Sequence, residues 1–180
     1  MLERSYTMVK PDGVKRGLIG QIISRFERAG MRLIGMKLMV PSTEIVSQHY
    51  PGTPELLKRL GDNTIRGFGE IGRDVQKEFG TTDPVELGKL VRGWLVNSIA
   101  GQTVVAMVWE GNQAIKIIRK LLGGTVPSEA LPGTIRGDFS LDSPDIANTE
   151  KRPLNNLLHA SGNAEEAKFE VNLWFPELNK

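Results

Sequence analysis

The chain lacks cysteine altogether, which excludes disulfides, thiolate zinc sites and cysteine nucleophiles at once. It has only two histidines, His49 and His159, far apart in sequence, so a zinc centre built on imidazoles is not expected either. An excess of one charge is also missing. The 23 Lys and Arg nearly balance the 21 Asp and Glu, for a net charge of +2, so neither a membrane surface nor a specific nucleic acid is indicated as a partner. No apolar run approaches the ~20 residues needed to span a bilayer. The opening stretch, MLERSYTMVK, carries charges at once and has no apolar segment of the secretory type. The expectation is a soluble, cytoplasmic protein.

What is present suffices for one core. Of 180 residues 39% are hydrophobic, enough for a compact domain with an elaborated insertion. SYTMVK (5–10) reads as a strand stopped by Pro11, with PDG (11–13) as a turn. Ile19, Ile22, Ile23 and Phe26 recur at helical spacing, and Gly30 stands where that helix should end. MRLIGMKLMV (31–40) is strand-like, and a helix over 43–50 follows. Residues 51–89 hold many glycines and charges and little large apolar material, which reads as a surface insertion. Helical periodicity resumes at Leu87, Leu90, Val91, Trp94 and Leu95. TVVAMVWE (103–110) is the most apolar strand candidate and the natural centre of a sheet. Asn112 is placed to cap the helix carrying Ile115, Ile118 and Leu122. Residues 123–153 read as a long irregular stretch, of the sort that is functional or mobile in a compact domain. A short strand ends at His159, and Asn163 with Glu166 opens a last helix towards Phe175. This imperfect alternation fits an antiparallel α+β architecture better than a doubly wound sheet.

Two motifs tempt and fail. GFGEIG (67–72) has the letters of a dinucleotide-binding loop, but it follows polar, helix-prone LLKRLGDNTIR and not a buried strand; a glycine-rich loop of the insertion is the better reading. ELGKL (86–90) lacks both the first glycine and the hydroxyl residue of a phosphate-binding P-loop. What remains is a set of cations beside turns: Lys10 before PDG, Arg119 late in a helix, and Arg136 in TIRGDF. Each has a plain alternative: Lys10 as the end of a strand, Arg119 on a solvated face, Arg136 stapling a loop through a carboxylate. Three cations with one histidine set in NNLLHASGN are what phosphoryl transfer needs, namely charge for phosphate oxygens and a nucleophile in line.

MVKPDGVKRGLIGQIISRFERAGMRLIGMKL, VVAMVWEG, PGTIRGDF and NNLLHASGNAEEAKFEVNLWF, in this order, resemble the nucleoside diphosphate kinase family. The similarity spans nearly the whole chain apart from residues 51–89 and part of 140–153. It implies one domain over residues 1–180, with an insertion at about 51–89 and a smaller one at about 140–153. The implied fold is a ferredoxin-like βαββαβ sandwich with a four-stranded antiparallel sheet. The implied activity is ping-pong transfer of the γ-phosphate of a nucleoside triphosphate such as ATP to a nucleoside diphosphate, through phosphohistidine. Neutral imidazole is a competent nucleophile near pH 7, and its N–P bond is labile enough to hand the group on.

By the same resemblance Asn156, His159 and Ser161 occupy the N-x-x-H-[GA]-S positions, and Glu170 orients the imidazole with Ser161 between them. Lys10, Arg119, Thr125, Arg136 and Asn156 match phosphate and sugar contacts, and Tyr50 the tyrosine near the active histidine. His49 is then a packing neighbour and not a second catalyst. The base-stacking position falls near Leu90, with Trp94 one turn on. Gly162 replaces an aspartate of the usual pattern, which removes a carboxylate from the vicinity of a metal-bound water. Mg2+ is expected to arrive with the nucleotide, with no protein metal site. A homo-oligomer, hexamer or tetramer, is implied, with GGTVPSEALPG (123–133) lining both site and subunit contacts. Residues 51–89 are placed to extend the lid or alter assembly. Two other readings are a non-catalytic nucleotide-binding member plugged by the insertion, and a nucleic-acid binder. The intact histidine frame opposes the first, and the near-neutral charge the second.

Overall fold

The computed structural model describes residues 2–179. Four strands carry the architecture: β1 (Leu2–Val9), β2 (Arg32–Met39), β3 (Val104–Asn112) and β4 (Leu158–Ala160). They form one sheet in the order β2-β3-β1-β4, with every neighbouring pair antiparallel. This is the α+β, ferredoxin-like arrangement implied by the sequence. TVVAMVWE lies in β3, flanked on both sides, as its apolar run requires.

Between β1 and β2 run α1 (Pro11–Lys15) and α2 (Ile19–Arg28). Between β2 and β3 come α3 (Thr43–His49), α4 (Pro54–Glu70), α5 (Val75–Phe79) and α6 (Pro84–Ile99). After β3 follow α7 (Ala114–Leu122), a 3-10 turn at Pro127–Glu129, α8 (Ile135–Phe139) and α9 (Pro144–Thr149). Beyond β4 lie α10 (Ala164–Trp174) and a 3-10 turn at Pro176–Asn179.

Successive strand residues point to opposite faces, and both faces are covered. Val9, Val105, Met107 and Trp109 pack on one side with Ile22 and Phe26 of α2 and Ile118 and Leu122 of α7. Tyr6, Met8, Ala106 and Val108 pack on the other with Val46 of α3, Val96 and Ile99 of α6, and Val171 and Trp174 of α10. His159 pairs with Met8 across β1 and β4, which directs its ring to this second face.

Several local expectations are corrected. PDG is not a turn: Pro11 starts α1, because proline's missing N–H costs nothing in a first helical turn. Asn112 ends β3, and the cap position of α7 is Gln113, at φ 50° and without a side-chain hydrogen bond. Residues 123–153 are not irregular throughout, since α8 and α9 form within them, α8 capped by Thr134.

The insertion differs most. The first four residues of GFGEIG are the end of α4, a 17-residue helix, and not a glycine-rich loop; Ile71 and Gly72 lie just beyond it. Phe68, Val75 and Leu87 close a small cluster of their own, backed by Ile65 and Phe79. The glycines have a packing reason. A Cβ at Gly61 would stand 1.8 Å from the Pro84 carbonyl oxygen, and one at Gly88 1.9 Å from that of Leu57. Helices α4 and α6 therefore cross backbone to backbone.

Candidate active site

His159 sits on β4, an edge strand that pairs over only three residues. Its placement starts two residues earlier. The Leu158 N–H bonds to the Asn156 carbonyl at 2.8 Å, and Leu157 between them has φ 68° although it is buried. This is a γ-turn, a tight and strained conformation. It is held from both ends: Asp12 Oδ2 accepts the Leu157 N–H at 2.9 Å, and the Leu157 carbonyl accepts the Lys10 N–H at 2.8 Å. Gly13 allows the approach, because a Cβ there would come within 3.0 Å of the Leu157 oxygen. PDG thus clamps the strand that carries the histidine. Asp12 was not singled out by the sequence reading; its position two residues after Lys10, in a segment that matched the family pattern, was the available signal.

The imidazole is oriented directly by Glu170 of α10, with Oε1 2.7 Å from His159 Nε2. Ser161 does not stand between them. It donates to the other oxygen, Oε2, at 2.5 Å, and accepts the Tyr6 N–H at 3.1 Å. A carboxylate bound in this way accepts a hydrogen bond from Nε2–H, leaving Nδ1 with its lone pair. The side chain of His159 is 21% exposed and that of Glu170 only 6%, so the imidazole reaches the surface while the carboxylate bonded to it is dry.

Aromatic rings wall the histidine. His49 meets it edge to face at 4.5 Å, Tyr6 lies at 6.0 Å and Tyr50 at 6.2 Å between ring centres. His49 is buried and accepts the Trp174 indole N–H at 3.3 Å. Burial, with the neighbouring His159, pushes the His49 imidazole well below its ordinary range, so it stays neutral. This is the packing neighbour that was expected. Tyr50 follows α3, and Arg92 of α6 donates to its carbonyl at 2.6 Å and to that of Ser47 at 3.1 Å. Burial and the Glu170 charge drive the Tyr50 phenol far above its ordinary value, which keeps it a neutral donor.

Lys10 is buried, and Nζ donates to the Leu154 carbonyl and to Asn156 Oδ1, both at 2.9 Å. Burial pulls its ammonium down to about 8, with Asp12 and Asp142 opposing and Arg136 and Arg152 adding to the shift. Arg136 of α8 does staple a loop, but through carbonyls and not a carboxylate. Nε reaches Asn156 at 3.0 Å, one terminal nitrogen Gly123 and Gly124 at 3.3 and 3.0 Å, and the other Leu158 at 2.6 Å. With five N–H groups on a guanidinium, one is left for a ligand. Burial and the charge of Arg119 lower it to about 10. Arg119 itself is exposed near the end of α7. Asn156 Nδ2 holds the carbonyl of exposed Thr125 at 2.9 Å.

Lys10, Arg136, Asn156, His159, Ser161 and Glu170 are therefore linked through strand β4 and the turn before it, with Tyr50 and Arg119 adjoining. Leu90 is 45% exposed on α6, while the Trp94 ring packs at 5.9 Å on Phe79 of the insertion. Gly162 has no side chain to offer; its N–H is taken by Glu166 at 2.8 Å, and Asn163 caps α10 by accepting the Glu166 N–H.

Comparison with known proteins gives the family and the fold. The family model of nucleoside diphosphate kinase matches residues 3–56 and 88–179. The nucleoside diphosphate kinase of Pyrobaculum aerophilum is 44% identical over 176 residues, covering 98% of this chain and 96% of that relative. That of Synechococcus sp. (strain CC9605) is 40% identical, covering 99% and 91%. Among solved structures, an NDP kinase from Pyrobaculum aerophilum superposes with a TM-score of 0.94 at 42% identity, over 97% of this chain and 96% of its own. A nucleoside-diphosphate kinase from Borrelia burgdorferi, solved as a transition state mimic with bound vanadate and ADP, gives 0.75 at 34% identity, over 97% and 87%. The chain belongs to the nucleoside diphosphate kinase family, enzymes that move a phosphoryl group from a nucleoside triphosphate to a nucleoside diphosphate. No helix among the described residues is long and apolar enough to cross a membrane.

Proposed function

We propose that His159 Nδ1 is the atom that carries the phosphoryl group. The observation behind this reading is the 2.7 Å contact of Nε2 with buried Glu170, which fixes the tautomer and turns the free lone pair outward. Attack of Nδ1 on the γ-phosphorus breaks its bond to the bridging oxygen and releases the diphosphate. The ring becomes a phosphorylated imidazolium whose Nε2–H bond to Glu170 strengthens as charge develops. A second diphosphate reverses the sequence, giving ping-pong kinetics. Ser161 holds the second carboxylate oxygen and keeps Glu170 from rotating.

Lys10 and the spare N–H of Arg136 suit the equatorial oxygens of the transferring group, and the neutral Tyr50 hydroxyl adds a donor. Arg119 and Thr125 suit the diphosphate, and Asn156 holds Lys10 and the Thr125 backbone in one frame. The base stacks on the α6 side, where Leu90 is exposed and available while Trp94 is engaged with Phe79. Stacking without edge hydrogen bonds admits every base.

The residues fit Mg2+ only as part of the nucleotide. The group of metal-capable side chains found among the described residues is His49, His159 and Glu170; it is nitrogen-rich, bonded internally and unlike the oxygen shell of a hard dication. Mg2+ on the phosphates would neutralise their charge, while the protein supplies cations and hydroxyls around it. We further read the chain as one domain with insertions at 51–89 and 140–153. A homo-oligomer, hexamer or tetramer, is supported by Leu131 and Leu141, 74% and 91% exposed, beside the nucleotide-side loop. A cysteine-free chain acting on the nucleotide pool fits the cytoplasm.

The test is labelling with γ-labelled Mg-ATP. Acid-labile, base-stable label on the wild type, chased to GTP by GDP and missing from His159→Gln, is the expected result. Label retained on His159→Gln would overturn the assignment.

A further inference from the structure

We propose that Asp142, in the loop between α8 and α9, is a positioning residue for Lys10. The inference rests on the proposed role of Lys10 at the transferring phosphate. It starts from the peptide of Asn155. Asp142 Oδ2 accepts the Asn155 N–H at 2.7 Å, and Ser140 Oγ donates to the Asn155 carbonyl at 2.7 Å. The residues on either side of this clamped peptide, Leu154 through its carbonyl and Asn156 through Oδ1, are the two acceptors of the Lys10 ammonium. Whatever fixes Asn155 therefore fixes where Lys10 points.

Asp142 is itself held firmly. Arg152 grips it with two nitrogens, at 2.6 and 3.0 Å, and Arg152 Nε is also paired with Glu150 at 2.6 Å. The Asp142 side chain is only 10% exposed. Burial pushes its carboxyl up, but the Arg152 guanidinium and the Asn155 and Ser143 N–H groups outweigh this and hold it below its ordinary value. The anchor reaches further, since Thr149 of the adjacent helix α9 accepts a hydrogen bond from Arg73, which stands just beyond α4 of the other insertion. Segment 140–153 is thus also tied to the segment that follows α4.

Electrostatics gives this arrangement a signature that simple stiffening would lack. The charged groups facing Lys10 are Asp12 on α1, Arg136 on α8, and Asp142 and Arg152 on the 140–153 segment. Asp142 favours the ammonium and Arg152 disfavours it, so the two charges oppose each other at Lys10. Removing one partner unmasks the other, with opposite signs.

The experiment is kcat/KM for phosphoryl transfer from Mg-ATP between pH 6 and 10, for wild type and five variants, with a thermal melt of each. In Asp142→Asn an acceptor for Asn155 remains while the charge is lost, and the alkaline limb is expected to move about half a pH unit downward. In Arg152→Gln it should move upward, and in the double variant it should return to the wild-type position. Ser140→Ala, which changes no charge, should lower the rate without displacing the limb. Limbs unmoved in both single variants, or displaced in the same direction, would overturn the proposal. Should Asp142→Asn fail to fold, the Arg152→Gln shift alone decides. Lys10→Met separates the two layers. An alkaline limb that survives in it would sink the assigned role of Lys10, whereas its loss alongside immobile limbs in the other variants would sink only the role of Asp142.

Discussion

Glu170 Oε1 stands 2.7 Å from His159 Nε2, and the same carboxylate takes the Ser161 hydroxyl on its other oxygen. One buried group thereby orients the imidazole proposed as nucleophile and is itself kept from turning. Replacing it should show this dependence. Glu170→Gln keeps the shape but presents an amide that can donate to Nε2, which moves the ring proton to Nδ1. Phosphohistidine formation in a single turnover is expected to fall by roughly 10²–10⁴-fold, by analogy with an orienting carboxylate made neutral in a serine-protease triad. A loss below tenfold would show that the tautomer is set elsewhere.

The γ-turn at Leu157 depends on Asp12. Asp12→Ala leaves the Leu157 N–H without its acceptor, at a cost of about 1–3 kcal/mol. Because the freed turn lies two residues before His159, activity should fall more than stability does. Chemical denaturation and steady-state kinetics on one preparation will compare the two. Unchanged kinetics with lowered stability would mean that the turn serves folding alone.

The crossing of α4 and α6 leaves no space for a methyl group at Gly61 or Gly88. Either Gly→Ala replacement forces the helices apart and should destabilise the protein by about 2–4 kcal/mol, as overpacking does. Trp94 fluorescence reports the same event, since its ring rests on Phe79 of the insertion. A variant as stable as wild type would contradict the close crossing.

Lys10 separates activity from stability as pH rises. Its folded value, about 8, lies below that of the unfolded chain. Between pH 8 and the ordinary lysine range the unfolded state binds more protons at this group, so its contribution to stability increases with pH; below pH 8 both states are protonated and it contributes no slope. With Lys10 in its proposed role at the transferring phosphate, activity needs the ammonium, so kcat/KM should decline through the same window. Wild type compared with Lys10→Met by melting at pH 7.5 and 9.5 gives the sign: the wild type should lose less, or gain more, over this interval.

Much of the site was readable because its residues sit in local frames. His159 lies in a short strand before the Asn163–Glu166 cap, and both appear as expected. Arg119 stands on a helix recognisable by periodicity, and Arg136 in a recognisable motif, although the short helix α8 that carries it was not legible. The insertion was not readable in the same way. Its glycines, which suggest loops by composition, are there because another backbone passes within contact of Gly61 and Gly88, and a sequence does not display that neighbour. The clamp on Asn155 was hidden too, since Asp142, Ser140 and Arg152 are ordinary surface residue types until the fold buries them around one peptide.

The sequence by itself determined the four strands, the helices α2, α3, α6, α7 and α10 and the set of chemical groups, because alternation, capping and residue type act over a few neighbouring positions. Only the tertiary structure decided which groups meet. Lys10 and Asn156 are 146 positions apart, and their contact follows from the pairing of β1 with β4. The contact of His159 with Glu170 follows from the same register, which turns this side of β4 towards α10.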